Sequence, residues 1–246
     1  MLSSIPFEIP PYLLELTRGL SRVRMAVAGA DHPVALESVR QGTDAGLIDP
    51  VLVGDADTIR TLARDASWDI SNFQIVDAAG EDKAPAAAVA LAKAGEVATL
   101  MKGHVHTDAL MKAVVNRDLG LRTGRRLSHV FHMTVPENNR VLLITDGAIN
   151  VAPDTGTKID IVNNAVALAH ALGNPKPHVA LLSGTESVIN AMPSSVDAAE
   201  VVKRANNGEV IGAIVDGPFA FDNAISPEAA LLKGIDGPVA GNADIL

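Results

Sequence analysis

The sequence predicts an α/β protein of two domains, with mostly parallel sheets flanked by helices and a cleft between the domains. Three observations predict it. Short apolar runs alternate along the chain with Ala-rich stretches of helical period. Turn signals such as Gly54-Asp55 and Asp216-Gly217-Pro218 stand where the apolar runs end. A length of 246 residues suits either one large domain or two ordinary ones, with ample apolar material for a core.

Taken in order, the apolar run over 24–28 feeds a helix over 32–45, and the run over 50–53 feeds a helix over 58–66 after the Gly54-Asp55 turn. A strand over 73–76 precedes the Ala-rich helix 85–94, and a strand over 99–101 runs into Gly103 and then a helix over 108–116 that Asp108 opens. Strands are expected over 129–133 and 141–145, then a helix over 158–172 and a strand over 178–182. Helices over 187–192 and 197–206, a strand over 210–215 and a helix over 221–232 complete the pattern. Regular alternation implies parallel pairing through right-handed crossovers. The helical pattern breaks at Gly120, and the basic turn LRTGRR precedes a strand of different rhythm, which divides 1–124 from 125–246.

Composition excludes several classes. Hydrophobic residues are 48% and charged residues 20%, the balance of a folded chain and not a disordered one. Aromatics are only 3%, too few for a protein that stacks bases. The formal charge of −9 opposes nonspecific attraction to nucleic acid or to an anionic membrane, so neither is an expected partner. An anionic substrate then needs a local basic pocket. The absence of cysteine removes disulfides, thiolate metal sites and cysteine nucleophiles, and with an N-terminus unlike a signal peptide it points to a cytoplasmic location.

The chemistry concentrates in one stretch. Lys102, Lys112, Arg122, Arg125 and Arg126 fall within twenty-five residues of an acidic chain, with Thr107 and Ser128 beside expected strand ends. Helix-start amides, hydroxyls and nearby cations are what a phosphoryl or acyl-phosphate group requires. His104, His106, His129 and His132 invite a metal reading, but the period of a strand sends 129 and 132 to opposite faces and no carboxylate-rich motif completes a set, so no metal is expected. No P-loop, G-x-G-x-x-G or G-x-S-x-G signature occurs where those chemistries need one. Carboxylates at strand ends, Asp146, Asp154, Asp160 and Asp216 among them, read first as helix caps.

The separated blocks MKGHVHTDALMKAV, GLRTGRRLSHV, LLITDGAINVAPD, KIDIVNNAVALAHALG, ESVINAMPSSVDAAE, VDGPFAFDNAIS and GPVAGNADIL, in that order, resemble the phosphate acetyltransferase and phosphate butyryltransferase family, closer to its butyryl branch. The resemblance implies an acyltransferase that moves a short acyl group, acetyl or butyryl, reversibly between coenzyme A and phosphate. It implies a two-domain fold, expected here to be isocitrate/isopropylmalate dehydrogenase-like, and a homodimer. Coenzyme A enters as a substrate and no further cofactor is expected. Lys112, where relatives often carry Arg, and Ser128 match the phosphate and acyl-phosphate region, with Thr107 and Asn150 lining it. Gly217, Pro218, Gly241, Asn242 and Asp244 match loops near the coenzyme A side. The family's Ser-Arg pair and downstream Asp lie beyond the position of Leu246, so the catalytic residues stay unassigned, and little turnover with retained phosphate binding is the expectation for the chain alone. Two other readings stay open on the residues, a partner-dependent or non-catalytic remnant of the family and a metal- or NAD-dependent oxidoreductase of similar architecture. Acyl-chain preference is a matter of pocket depth, which no spacing reveals.

Overall fold

The structure, a computed structural model, describes residues 9–135 and 140–246. Its contacts divide the chain into an N-terminal unit, Thr17–Gly124, and a C-terminal unit, Arg125–Leu246 together with the segment that ends at Leu16.

The N-terminal unit is a four-stranded parallel sheet of β1 (Val23–Ala28), β2 (Ile48–Gly54), β3 (Gln74–Asp77) and β4 (Thr99–Lys102) in the order β3-β2-β1-β4. The connections carry α2 (Pro33–Asp44), α3 (Ala56–Asp65) and α4 (Lys83–Lys93), and α5 (Thr107–Val114) follows the last strand. Alternation sorts the core. Val27 and Leu52 face Leu36, Val39 and Ile59 of α2 and α3, whereas Ala26, Ala28, Val51 and Val53 face Ala84 and Ala88 of α4. Because β2 lies on one side of β1 and β4 on the other, the strand order reverses between β1 and β4, which is where an open α/β sheet forms a crevice at its carboxyl edge. Gly103 closes that point: its amide donates to the Ala28 carbonyl at 2.9 Å, and a Cβ there would stand 2.2 Å from the Gly29 carbonyl oxygen.

The C-terminal unit is mixed. β5 (Val130–Val135) and β6 (Arg140–Thr145) pair antiparallel, and β7 (His178–Leu182) and β8 (Ile214–Phe219) pair parallel. Ile245 bridges β6 and β7, parallel to both, so that the segment Asp244–Leu246 is the central member of one sheet. α6 (Thr155–Ala171) and α7 (Pro193–Arg204) pack on one face with Leu143, Val179, Val215 and Ile245. α8 (Phe221–Ile225) and α9 (Pro227–Leu232) cover the other face with Leu142, Ala180, Phe219 and Leu246. A short N-terminal helix, α1 (Pro11–Thr17), brings the Tyr12 hydroxyl to the ring of His132 on β5.

Several expected elements differ. β5 and β6 are antiparallel because only residues 136–139 separate them, too few for a crossover. No helix forms over 187–192; the stretch is a loop pinned by Ser195, whose hydroxyl accepts from the Ile189 amide at 2.9 Å and donates to the Met192 carbonyl at 2.8 Å. The strand expected over 210–215 begins instead at Ile214, since Gly212 turns the chain at φ 78° against the His170 ring. The helix over 221–232 breaks at Ser226, which leaves the helical region and caps α9 through the Ala229 amide, with Pro227 at the first helical position.

Candidate active site

In the C-terminal unit the carboxyl end of β6 and the start of β5 lie at one edge, since Val130 pairs with Thr145. Asp146 follows β6 and organises the loop there. Its carboxylate accepts from the amides of Ala148 (3.1 Å), Ile149 (3.0 Å) and Asn150 (3.3 Å) and from the Asn150 side-chain amide (2.5 Å). Burial pushes the Asp146 carboxyl up, but the Asn150 side chain and these amides outweigh it and hold the group below its ordinary value. Asn150 also donates to the Leu127 carbonyl at 2.9 Å, which ties this loop to the residue before Ser128.

The basic turn is held from the other side by α6. The Arg126 amide donates to Asp160 at 3.0 Å. The Asn164 side chain donates to the Arg126 carbonyl at 2.9 Å and to the Ser128 hydroxyl at 2.8 Å, and accepts from the Arg125 guanidinium at 3.5 Å. Asp154 caps α6 through the Thr157 amide at 2.7 Å. That hydrogen bond, chiefly, with Arg126 and Arg204 nearby, lowers its pKa. Ser128 and Asn150 are thus brought into one hydroxyl- and amide-lined edge with Arg125 and Arg126.

The other predicted residues of this unit are placed elsewhere in it. Gly217 and Pro218 form an irregularity in β8, where Ala180 pairs with Asp216 but Leu182 pairs with Phe219. Gly217 is required there, because a Cβ would stand 2.8 Å from the Leu181 carbonyl oxygen. Gly241, Asn242 and Asp244 lie at the opposite, amino edge of β7, where the Asp244 carboxylate accepts from the His178 amide at 2.8 Å and the His178 ring meets the Asn242 carbonyl at 3.3 Å. Gly241 presses on α9, with its Cβ position 2.4 Å from the Pro227 Cα. The five residues expected on one coenzyme A side therefore occupy two edges of the sheet, a separation set by strand register and invisible to spacing.

In the N-terminal unit Thr107 opens α5, with His106 as the cap residue. Glu81 accepts from the His106 amide and from its ring Nδ1 at 2.9 Å, and the His106 amide is the main cause of the lowered Glu81 pKa. Lys112 sits in the last turn of α5, 3.8 Å from Asp82 with both side chains exposed. His104 stacks on His32 across the β1/β4 switch point at a centroid separation of 3.9 Å. Lys102 donates to the Val105 carbonyl at 2.9 Å. In the C-terminal unit His129 packs edge-on to Phe131 while His132 meets Tyr12. Sequence reasoning missed Glu81, Asp160 as the anchor of the turn, and Asn164. The signal for Asn164 was a polar pair, Asn163-Asn164, inside an otherwise apolar helix.

An α/β protein with a cationic, hydroxyl-bearing edge defines a class that handles anionic groups. The pattern described as "Phosphate acetyl/butaryl transferase" matches residues 81–246. A phosphate acetyltransferase of Rickettsia typhi is 45% identical over 238 residues, which cover 95% of this chain and 67% of that protein. A phosphate butyryltransferase of Clostridium beijerinckii is 41% identical over 234 residues, 95% of this chain and 78% of its own length. A solved branched-chain phosphotransacylase from Enterococcus faecalis V583 superposes with a TM-score of 0.78 at 32% identity, covering 91% of this chain and 78% of that one. The chain belongs to the phosphate acetyltransferase and phosphate butyryltransferase family, and is an acyltransferase. The expectation of an isocitrate/isopropylmalate dehydrogenase-like fold is corrected: the solved neighbours are phosphotransacylases, and only the α/β class stands. Alternating strands and helices specify layers, whereas strand order distinguishes one α/β fold from another. Among the described residues no helix is long and apolar enough to cross a membrane.

Proposed function

We infer that this chain transfers a short acyl group, acetyl or butyryl, reversibly between coenzyme A and phosphate, with phosphate or acyl phosphate held at the edge that Ser128 and Asn150 share. The observation that carries the placement is the network joining Ser128, Arg126, Asn164 and Asn150 in an otherwise acidic chain. In the direction of thioester synthesis the coenzyme A thiol gives up its proton, its sulfur attacks the acyl carbon, the carbon–sulfur bond forms, the bond to the bridging oxygen breaks, and phosphate departs, the released proton ending on it as hydrogenphosphate. The Ser128 hydroxyl and the guanidinium groups of Arg125 and Arg126 supply donors and positive charge to the departing phosphate. Thr107 and Lys112 are proposed as further anion contacts on their own unit, and Gly217 and Pro218 as backbone lining on the coenzyme A side. No resident cofactor is needed for this chemistry. We place the protein in the cytoplasm, on the absence of cysteine, and as a homodimer, on the outermost strand β5, where Phe131 is 49% and Met133 47% exposed on one face.

The test follows coenzyme A thiol release from acetyl-CoA and butyryl-CoA by the purified chain, with and without phosphate, and thioester formation from the two acyl phosphates. Phosphate-dependent thiol release is the outcome this reading expects, in place of the little turnover that the resemblance alone implied for the chain. Absence of turnover in both directions would remove the enzymatic reading, and phosphate binding without turnover would leave a binding protein.

A further inference from the structure

We propose that Asn164 is a positioning residue for the reaction, fixing the Ser128 hydroxyl as a hydrogen-bond donor to phosphate. The inference rests on the phosphate-site reading of Ser128 given above. The Arg126 carbonyl accepts hydrogen bonds and cannot donate, so the Asn164 atom 2.9 Å from it is the amide nitrogen. The same nitrogen lies 2.8 Å from the Ser128 oxygen and spends its second hydrogen there. That bond occupies an acceptor lone pair of Ser128 and leaves the hydroxyl proton without a partner among the described residues. A serine held in this sense offers its proton outward, which suits an anion that only accepts. The amide oxygen faces Arg125 only at 3.5 Å, the outer limit of a hydrogen bond, so the 2.8 Å contact with Ser128 is the one through which Asn164 reaches the phosphate.

The experiment compares wild type, Ser128→Ala, Asn164→Ala and the double variant by calorimetric titration with inorganic phosphate, and by the KM values for phosphate and acyl-CoA. Ser128→Ala is expected to weaken phosphate about tenfold and Asn164→Ala about fivefold, the range a charge-assisted hydrogen bond commands. The double variant should be no weaker than Ser128→Ala alone, because Asn164 acts through the hydroxyl. The KM for acyl-CoA should stay within about twofold throughout. Asn164→Asp, which accepts but does not donate, should not rescue the alanine variant. Additive losses, or a parallel rise in both KM values, would overturn the positioning role in favour of a general structural one. Weakening by Ser128→Ala with none by Asn164→Ala would remove Asn164 alone. Unchanged affinity in Ser128→Ala, or no phosphate binding by wild type, would remove the site reading and this inference with it.

Discussion

Asp146 shows how one side chain can substitute for a stretch of regular structure. The loop after β6 lies outside the regular strands, and a carboxylate that accepts from three amides and one side-chain amide gives its donors the partners a strand neighbour would supply. The carboxyl titrates below its ordinary value because these donors outweigh the opposing effect of burial. A lowered pKa in the folded state means stability that is complete above the unfolded-state value of about 3.9 and lost as pH falls through the folded one. Asp146→Asn, which keeps one acceptor and loses the charge, should therefore lower stability by about 1–2 kcal/mol at neutral pH. Urea melts at pH 7 and pH 3 would check this, the gap between variant and wild type closing at the lower pH. In the N-terminal unit Glu81 fills the corresponding place at His106, so Thr107 begins a helix whose amino end already has a carboxylate against it. That contact was hidden because Glu81 and His106 are twenty-five residues apart in a pattern that marks neither.

At the scale of elements, close approach decides which glycines matter. Gly103 ends β4 where the chain passes the end of β1, and no side chain fits between its Cα and the Gly29 carbonyl. Gly103→Ala should cost about 2–4 kcal/mol by displacing backbone at the switch point. Gly156, in the first turn of α6, has only ordinary contacts at its Cβ position, so Gly156→Ala should stabilise by roughly 0.5 kcal/mol through helix propensity. Thermal melts of both variants test the pair, and equal effects would refute the argument. Strand starts and helix ends were legible from apolar runs and Gly or Pro. The misplacement of 210–215 and the missing helix over 187–192 have one cause, which is that tertiary contacts at Gly212 and Ser195 override weak local preference.

For the whole molecule, the apolar side of α6 offers no pairing surface, because Ile159, Ile161, Val162, Ala165, Val166 and Ala169 are buried within its own unit. The exposed apolar pair on β5 is the surface proposed for self-association. Light scattering at micromolar concentration should give about twice the 25.5 kDa of one chain, and Phe131→Glu with Met133→Lys should return it to one. A monomer mass for wild type would rule the dimer out.

By itself, the sequence determined the α/β class, the alternation of elements and the family, because these depend on periodicity and on residue identity in order along the chain. The cationic turn and Ser128 were legible for the same reason: charge and hydroxyls do not need to be folded to be seen. Only the tertiary structure decided that Asn164 holds Ser128, that Glu81 meets His106, and that Asp244 and Pro218 stand at opposite edges of one sheet. Strand order and register bring residues together across tens of positions, and a one-dimensional pattern carries no record of which strand lies beside which.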